Sequence, residues 1–365
     1  MMLKDILCRT ASAGIRIQKE DGSFPPGHNG PWHNEETPIR NTAHWILTLA
    51  KAHDITGDAV YEEALRKAGS YLASDACCPM GRTFMVFTDG AMYGGSNGLV
   101  GQAWVMEALL AMYKKFGEER FLQLAEERAL DQPWDQGLRI WRALSPQGED
   151  MGIQWSLNQQ IWFSALSRSV YQETGNEKIN ERVKLFSDRI PTVANFWKGF
   201  IRMRLREYLF IGRPKFFYRI MKSRVRNHLK LEARSQGYIA YSYYPLSILH
   251  NIAPELDVWH KKSFLHQFRS SLNFMEENVI NYTTEDNPYA YTYHPTGFEM
   301  ACILESFTDI YKGTTTPAQW VQKQLDQHYD PETDLMTRNT VDPMTLAARF
   351  YEASRIRDMD MEVHV

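Results

Sequence analysis

The fold of this chain is decided by residues 40–72, which read RNTAHWILTLAKAHDI-TGD-AVYEEALRKAGSYL. An apolar helix, a short Thr-Gly-Asp turn and a more charged helix follow one another, which is the pattern of a helical hairpin. The same order recurs at 97–130 and again from Asn158, where the turn reads TGN. A hairpin cannot bury its apolar face alone, so neighbouring copies are expected to stack against each other.

The number of copies predicts a closed ring. Further copies begin near Gly237 and after the loop NYTTEDNPYAYTYHPTG, and a last apolar helix lies near 343–355. That helix has no partner after it, and the apolar-faced helix at 3–19 has none before it. We therefore predict an all-α fold, an (α/α)6 toroid in which the first helix pairs with the last. An open solenoid is the alternative.

Residues 191–236 interrupt the repeat, so we describe 1–365 as one barrel domain with 191–236 as a basic amphipathic insertion. Between 198 and 234 there are twelve Lys or Arg residues against two acids, interleaved with aromatic and aliphatic residues. Such segments lie on anionic membrane surfaces. We expect this one to contact an anionic membrane or a lipid-linked glycan. The alternatives are a solvated helical hairpin and a docking element for a partner.

The composition excludes several classes of protein. A formal net charge of -3 gives no indication of a nucleic-acid partner. No run of 18 uncharged apolar residues predicts a membrane span, and the N-terminus lacks the apolar core of a signal peptide. The cysteines form no metal-binding pattern, so we expect free thiols, a cytoplasmic location and neither metal nor cofactor. They are Cys8, Cys77, Cys78 and Cys302.

Several segments carry a resemblance to a known superfamily. They are DGSFPPGHNGP, TPIRNTAHW, DGAMYGGSNGLVGQAWVMEALL, NQQIWFSA, YHPTGFE and TRNTVDPMTLAARFYEA. Together with the repeat, they resemble the six-hairpin barrel superfamily of N-acylglucosamine 2-epimerases and unsaturated glucuronyl hydrolases, and most of all sugar-hydrolase-like proteins of polysaccharide and glycosylation gene clusters. The resemblance covers nearly the whole chain except 191–236 and implies sugar chemistry. It does not choose a reaction, because this fold hosts hydrolases, lyases and epimerases.

The candidate catalytic residues are carboxylic acids, because a glycoside hydrolase needs two carboxyl groups flanking the scissile bond. In a closed toroid, the loops that lead into the inner helices converge at one mouth. From these loops we nominate Asp89 in FTDGAMYGGSNG and Glu299 in YHPTGFE, with Asp150 and Glu36 as reserves. The competing interpretation is capping: Asp89 as a turn or helix cap, and Glu299 as the capping-box partner of Thr296.

Candidate sugar-binding residues lie in the same loops and at the starts of the inner helices. Arg40 and His44 are one helical turn apart and face the same way, and a guanidinium matches the carboxylate of a uronic acid. Asp342, before a proline, is expected to be an N-cap. Core packing or capping is the alternative for each of the remaining candidates. These are His28, Trp32, Trp104, Trp155, Gln159, Trp162, Tyr241, Tyr293, His294 and Arg338.

The sequence thus predicts a carbohydrate-active enzyme. Our first hypothesis is a glycoside hydrolase acting on a uronate-containing or surface-polysaccharide-related oligosaccharide. The second is a uronate lyase or sugar epimerase, which the tyrosines near 238–244 would serve. The third is a non-catalytic glycan-binding partner in a polysaccharide-assembly complex, which a groove filled by side chains would favour. For each hypothesis we expect a cytoplasmic protein that contacts the inner membrane face through 198–234.

Overall fold

Helical hairpins make up most of the structure. It is a computed structural model that describes residues 1–88, 90–206 and 231–365. The barrel helices of this part of the chain are, in order, α1 (Leu3–Ile17), α2 (Ile39–Thr56), α3 (Ala59–Leu72), α4 (Gly98–Phe116), α5 (Glu119–Asp131), α6 (Leu157–Thr174), α7 (Glu177–Val193), α8 (Ile239–Ile252), α9 (Lys262–Glu277), α10 (Thr296–Ser306), α11 (Pro317–His328) and α12 (Pro343–Ala348). The chain after α12 continues as a 3-10 helix, Arg349–Arg355.

The short turns of the repeat explain where the helices end. Gly57 and Gly175 end α2 and α6 with left-handed backbone, at φ of 69° and 67°, which costs glycine little. The polar residue that follows each glycine then starts the next helix. Asp58 accepts a hydrogen bond from the Val60 N–H, and Asn176 accepts one from the Lys178 N–H. The TGD and TGN turns therefore work as a C-terminal stop followed by an N-cap.

The inner helices form a closed ring. Helices α2, α4, α6, α8 and α10 each pack on the next, and the 3-10 helix contacts both α10 and α2. Helix α1 packs on α2 and on the 3-10 helix, and the Leu3 N–H donates to the Met361 carbonyl at 3.0 Å. The first helix thus pairs with the end of the chain, which confirms the predicted (α/α)6 toroid and excludes the open solenoid.

The inner and outer helices differ in how much of their surface is buried. Nearly all of α4 from Gly98 to Met112 is buried, as expected for a helix that is apolar all round, whereas α5 buries one face. Glu107 is a charged residue in the buried stretch of α4. A carboxylate inside an apolar helix is stable only if it is paired, so it indicates that the barrel axis is polar.

Strands in the described residues lie between the helices, and the sequence did not reveal them. The predicted loop 131–156 holds an antiparallel sheet of β1 (Trp134–Asp135), β2 (Ile140–Leu144) and β3 (Asp150–Ile153). Trp141 of β2 is buried against Phe163 and Phe186. Burial of this ring fixes the hairpin on the barrel, so tertiary packing decides its structure. Two shorter ribbons pair β4 (Phe196–Trp197) with β5 (Phe200–Ile201) and β6 (Tyr329–Asp330) with β7 (Leu335–Met336).

The first three residues of the segment 191–236 belong to helix α7. Helix α7 continues through Pro191 to Val193, and the β4–β5 ribbon follows. Most of the basic stretch expected to contact a membrane, residues 207–230, lies outside the described residues. Within the described ranges, none of the helices combines the length and apolar character needed to cross a bilayer.

We expect Gly297→Ala to lower the free energy of unfolding by about 1–3 kcal/mol, the usual cost of overpacking. A Cβ at this position would lie 2.2 Å from the backbone carbonyl oxygen of Trp320, where α10 crosses α11. Backbone cannot move aside as a flexible side chain can. Gly137→Ala is the control, since its Cβ would meet Asp135 Oδ1 at an ordinary 3.6 Å. Equal urea midpoints for the two variants would contradict the close approach.

Candidate active site

The mouth of the barrel lies where long loops lead into the inner helices. Trp32, in the loop before α2, donates from Nε1 to the Tyr238 hydroxyl at 3.1 Å, and its ring centroid lies 5.7 Å from that of Tyr289. Across the mouth, the Tyr93 hydroxyl donates to Gln154 Oε1 at 3.0 Å. Contacts between residues so distant in sequence show that the loops converge, as a ring requires.

Arg40 lies in the first turn of α2 and is buried at the axis. Its Nη1 donates to Glu36 Oε1 at 2.7 Å, and its guanidinium lies 4.5 Å from the Trp104 ring centroid. Burial raises the pKa of Glu36, although Arg40 opposes the shift. Arg40 Nε and Nη2 have no hydrogen-bond partner among the described protein groups. These two nitrogens are therefore available to donate hydrogen bonds to a ligand or to water.

Asp342 ties the first loop to the last inner helix. It caps α12 by accepting from the Thr345 N–H, as expected, and it also accepts from the N–H groups of Gly30 at 2.8 Å and His28 at 3.0 Å. Burial opposes ionisation, but these backbone donors hold the pKa of Asp342 below its ordinary value. The Tyr293 hydroxyl donates to Asn29 in the same loop at 2.6 Å, so Asp342 and Tyr293 both hold the loop beside Arg40.

Glu299 is not the capping-box residue that its spacing from Thr296 allows. Helix α10 has no side-chain cap, and Glu299 Oε1 instead accepts from Arg349 Nη2 at 2.8 Å. Arg349 also donates to Glu352, one turn along the 3-10 helix, from Nε at 3.2 Å and from Nη2. One guanidinium thus serves two carboxyl groups, and all three side chains are at most 1% exposed.

Two buried carboxyl groups beside a single cation cannot both ionise cheaply. Burial raises the pKa of Glu299 well above its ordinary value, with Arg349 opposing and Glu352 adding to the rise. Burial likewise raises the pKa of Glu352, to about 7, against the pull of Arg349. The pair therefore shares a proton near neutral pH, which is the condition for a general acid.

Two histidines line the same part of the axis. His44 stacks on Tyr351 at 4.5 Å, and His294 stacks on Tyr241 at 4.4 Å. Burial, with a contribution from Arg40 and Arg349, lowers the pKa of both imidazoles well below the ordinary value, so both rings are neutral. Both nitrogens of His44 and Nε2 of His294 have no protein partner within the described ranges. The neutral imidazole of His44 can accept and return a proton. His294 accepts from Arg349 at Nδ1, so its Nε2 carries the proton and is a donor.

A third buried arginine–glutamate pair continues the polar axis away from the mouth. Arg355 donates from Nε to Glu107 Oε1 at 2.9 Å and also from Nη2. Glu107 is thus paired, as a buried carboxylate requires. The axis therefore carries three arginines in succession, each facing a glutamate from another turn or another helix.

The remaining nominated residues fall into two groups. We call the buried group of Glu36, Arg40, His44, Glu299, Arg349 and Glu352 the axial cluster. The nominated residues beside it are Trp32, Trp104, Tyr241, Tyr293 and His294. His28 lies nearby and is hydrogen-bonded to the Val341 carbonyl. Gln159 accepts from Gln154 Nε2 at 2.8 Å, below Tyr93. The second group lies elsewhere: Trp162 is fully buried against Tyr241 and Tyr244, Trp155 is half-buried beside Leu205, and Arg338 pairs with Asp330 at the surface.

The nominated acids are not equivalent. Asp89 lies outside the described residues. Asp150 is exposed on β3 and accepts from Arg142 Nε at 2.8 Å, and Glu36 is committed to Arg40. Glu299 alone of the described nominees keeps a buried oxygen, Oε2, without a protein partner. In the parts of the chain that the structure describes, no three His, Cys, Asp or Glu side chains come together as metal ligands would.

Sequence reasoning missed four residues of the axis. Arg349, Glu352 and Arg355 lie in the last apolar segment, MTLAARFYEASR, and Glu107 lies in AWVMEALLAM. The signal was available, because charged residues inside apolar helices of a toroid face its axis. The ion pairs between them could not be predicted, because they join helices up to 248 positions apart in sequence.

We expect stability to fall as the pH rises from about 5 to 7. The pKa of Glu352 rises from the ordinary 4.5 to about 7 on folding, so the folded chain binds more protons than the unfolded chain in this range. The free energy of unfolding should then drop by roughly 1–3 kcal/mol. Urea unfolding at several pH values would measure it, with Glu352→Gln flattening the slope. An unchanged slope in that variant would contradict the shared proton.

Comparisons with known proteins agree with the fold. No protein-family model matches the chain. The chain is 34% identical to archaeal glycosylation protein Q of Haloferax volcanii, over 98% of each chain. Cellobiose 2-epimerase from Bacillus thermoamylovorans is similar in structure, with a TM-score of 0.65 at 10% identity over 94% of each chain. An unsaturated glucuronyl hydrolase from Bacillus sp. GL1 is also similar, with a TM-score of 0.63 at 12% identity over 97% of this chain and 94% of that one.

The two kinds of similarity support different statements. Structural likeness at 10–12% identity shows the fold, and the relative that matches from end to end shows the family. This chain therefore belongs to the family of archaeal glycosylation protein Q and has the six-hairpin glycosidase fold, an (α/α)6 barrel.

Proposed function

We propose that this chain is a carbohydrate-active enzyme of a glycosylation pathway that acts on a uronate-containing saccharide at the mouth of the barrel. One observation carries the proposal. Two distant parts of the chain, the start of α2 with Arg40 and His44 and the start of α10 with His294 and Glu299, bring polar atoms to one buried place. These atoms have no partner among the described protein groups. Buried polar atoms are normally hydrogen-bonded, so such a concentration favours a ligand. The relative's name and the sugar-active structural neighbours support the choice of a saccharide.

Hydrolysis is our first candidate for the reaction. Arg40 would hold the uronate carboxylate with Nε and Nη2, between the rings of Trp104 and Tyr293. Glu299, protonated because it is buried beside Glu352, would donate its proton to the leaving oxygen. The base that activates water would be Asp89, which stays a proposal from the sequence alone.

Access is part of this proposal. Arg40, His44 and Glu299 are each at most 1% exposed, so a saccharide reaches them only after the loops at the mouth move apart. Trp32 and Tyr289, which touch each other across two of these loops, are the side chains that would separate. A permanently filled axis would instead suit a non-catalytic glycan-binding partner, so the test has to detect turnover.

Epimerisation or isomerisation is the second candidate, and the two histidines favour it. The neutral imidazole of His44 on α2 could remove a proton from a sugar carbon and return one. His294 accepts from Arg349 at Nδ1, so its Nε2 carries the proton and would donate a hydrogen bond to a sugar oxygen. Arg349, which donates to His294 Nδ1, would stabilise the negative charge that develops. Such a reaction would need no second carboxyl group.

Nuclear magnetic resonance in D2O separates these candidates. The purified chain is incubated with glucuronate-containing oligosaccharides. Hydrolysis gives new reducing-end signals, and epimerisation gives a new sugar with deuterium on the inverted carbon. We expect Glu299→Gln and Asp89→Asn to lower hydrolysis by about 10²–10⁴-fold, while Asp150→Asn, on the exposed hairpin, stays active. Saccharide binding without turnover would overturn the enzyme proposal in favour of the scaffold.

We also propose that residues 198–234 hold the protein on an anionic membrane, where lipid-linked glycans are presented. Trp197, just before this segment, is 42% exposed on the β4–β5 ribbon. The Arg202 guanidinium lies 4.6 Å from the centroid of its ring. Tryptophan beside basic residues suits a membrane interface. Co-sedimentation with phosphatidylserine vesicles at low salt should decrease for Trp197→Ala, and no binding by the wild type would refute the proposal.

A further inference from the structure

A cavity of about 290 Å³ lies at the end of the barrel opposite the mouth. It is bounded by the last turns of α8 and α10 and by the chain leaving the 3-10 helix. Its polar lining comprises Ser247, Asn251, Ser306, Ser354, Arg355 and Arg357. Ligand pockets span about 300–1,000 Å³, so this cavity is the size for one sugar ring and not for an oligosaccharide.

Hydrogen bonds between the lining residues fix their positions. Asn251 Nδ2 donates to the Ser306 hydroxyl at 3.0 Å, and Arg357 Nη2 donates to Asn251 Oδ1 at 2.9 Å. These bonds join α8, α10 and the C-terminal segment across the cavity. A site held in this way presents amide, hydroxyl and guanidinium groups without losing much side-chain freedom on binding.

The charges at this end are already compensated. Arg355 pairs with Glu107 below it. Glu305, which also lines the cavity, accepts from the backbone N–H groups of Arg357 at 2.7 Å and Asp358 at 3.2 Å. The lining therefore has two arginines and one glutamate, and Glu107 beneath it compensates the remaining charge, so the cavity offers hydrogen-bonding groups with little net charge. This balance favours a neutral polar ligand over an anion.

A buried hydroxyl at the cavity provides an independent indication. Tyr244 lines the cavity, is fully buried, and its hydroxyl has no hydrogen-bond partner in the described protein. Leaving such a buried group unpaired is unfavourable. Ile248 and Ile252 add apolar surface on the same helix, and the pyranose ring has both a C–H face and hydroxyl groups to match.

We propose that this cavity is a second binding site, specific for a single neutral sugar ring and separate from the mouth. The hydroxyls of the sugar would bond to Asn251, Ser306 and Ser354, and its C–H face would lie against the α8 side chains. The site does not depend on which reaction takes place at the mouth, because Arg355 is the one described arginine or glutamate of the polar axis that lines it.

Saturation-transfer nuclear magnetic resonance on the full chain tests the proposal with D-glucose, D-mannose and D-galactose as probes. We expect at least one of these sugars to bind. We expect Ser354→Leu, which fills the cavity, to lower the affinity for that sugar at least tenfold. Asn251→Leu, at an exposed position that should tolerate the change, removes the central amide and should do the same. Ser70→Leu, on an exposed position of α3, is the matched control and should bind normally.

Two results would overturn the second site. One is the absence of binding by the wild type for all three sugars at 50-fold excess over protein. The other is unchanged binding in folded Ser354→Leu and Asn251→Leu, which would place the sugar elsewhere, including at the mouth. Melting temperatures establish that the variants are folded before binding is compared.

Discussion

Arg349→Leu is expected to lower the free energy of unfolding by about 3–5 kcal/mol, the usual cost of removing one partner from a buried ion pair. Arg349 is the single cation between Glu299 and Glu352, and it also donates to the Tyr293 carbonyl at 3.1 Å. Without it, two fully buried carboxyl groups face each other. Both would have to take up protons, so the variant should be least stable at high pH.

Urea unfolding at pH 5 and pH 8 measures this loss, and the chain offers a matched control. Arg338 is another arginine in an ion pair, with Asp330 at 3.1 Å, but it is half exposed. Arg338→Leu should cost no more than about 1 kcal/mol, as surface pairs do. Adding Glu352→Gln to Arg349→Leu should restore part of the stability. Similar losses at positions 349 and 338 would show that the axis is not the buried charge cluster described above.

Arg40→Met is expected to weaken the binding of a uronate saccharide by about 10- to 100-fold. A hydrogen bond to a charged group contributes about 1.5–3 kcal/mol, and ten-fold in affinity corresponds to about 1.4 kcal/mol. The free donors Nε and Nη2 are the groups that would be lost. Binding of the matching saccharide with a hydroxymethyl group in place of the carboxylate should change much less.

Isothermal titration calorimetry with the two saccharides gives this comparison directly. Arg128→Met is the control, because Arg128 is a buried arginine on the outer helix α5, where its acidic partners are Glu127 and Asp131. Its affinity for the uronate should equal that of the wild type. If Arg40→Met lost affinity equally for both saccharides, Arg40 would act on the structure of the site and not on the carboxylate.

The fold could be predicted because its determinants are local. The TGD and TGN turns place a left-handed glycine and an N-cap side by side, and the apolar helices repeat at a regular interval. The unpartnered first and last helices then imply closure, which the contact of the 3-10 helix with α2 confirms. The sheet at 134–153 was missed because its strands are short and are fixed by burial of Trp141 against α6 and α7.

The convergence of the candidate residues could be predicted, but their ion-pair and hydrogen-bond partners could not. Arg40, His44, His294 and Glu299 were identified because loops that lead into the inner helices converge in a ring. Their partners depend on rotation of each helix about its own axis, which a sequence does not give. Glu299 shows this: three residues after Thr296 it fits a capping box, yet its side chain turns inward to Arg349. Trp162 and Arg338 show the converse, since one packs in the core and the other lies at the surface.

The central claim is that the axial cluster at the mouth receives a sugar, and a crystal structure of the protein with a glucuronate-containing disaccharide tests it most directly. The account predicts density for the uronate carboxylate at Arg40 Nε and Nη2, with a ring oxygen or hydroxyl within hydrogen-bond distance of Glu299 Oε2 or His294 Nε2, and with Trp32 and Tyr289 moved apart. Density confined to another surface, with the axial side chains still enclosed, would contradict it.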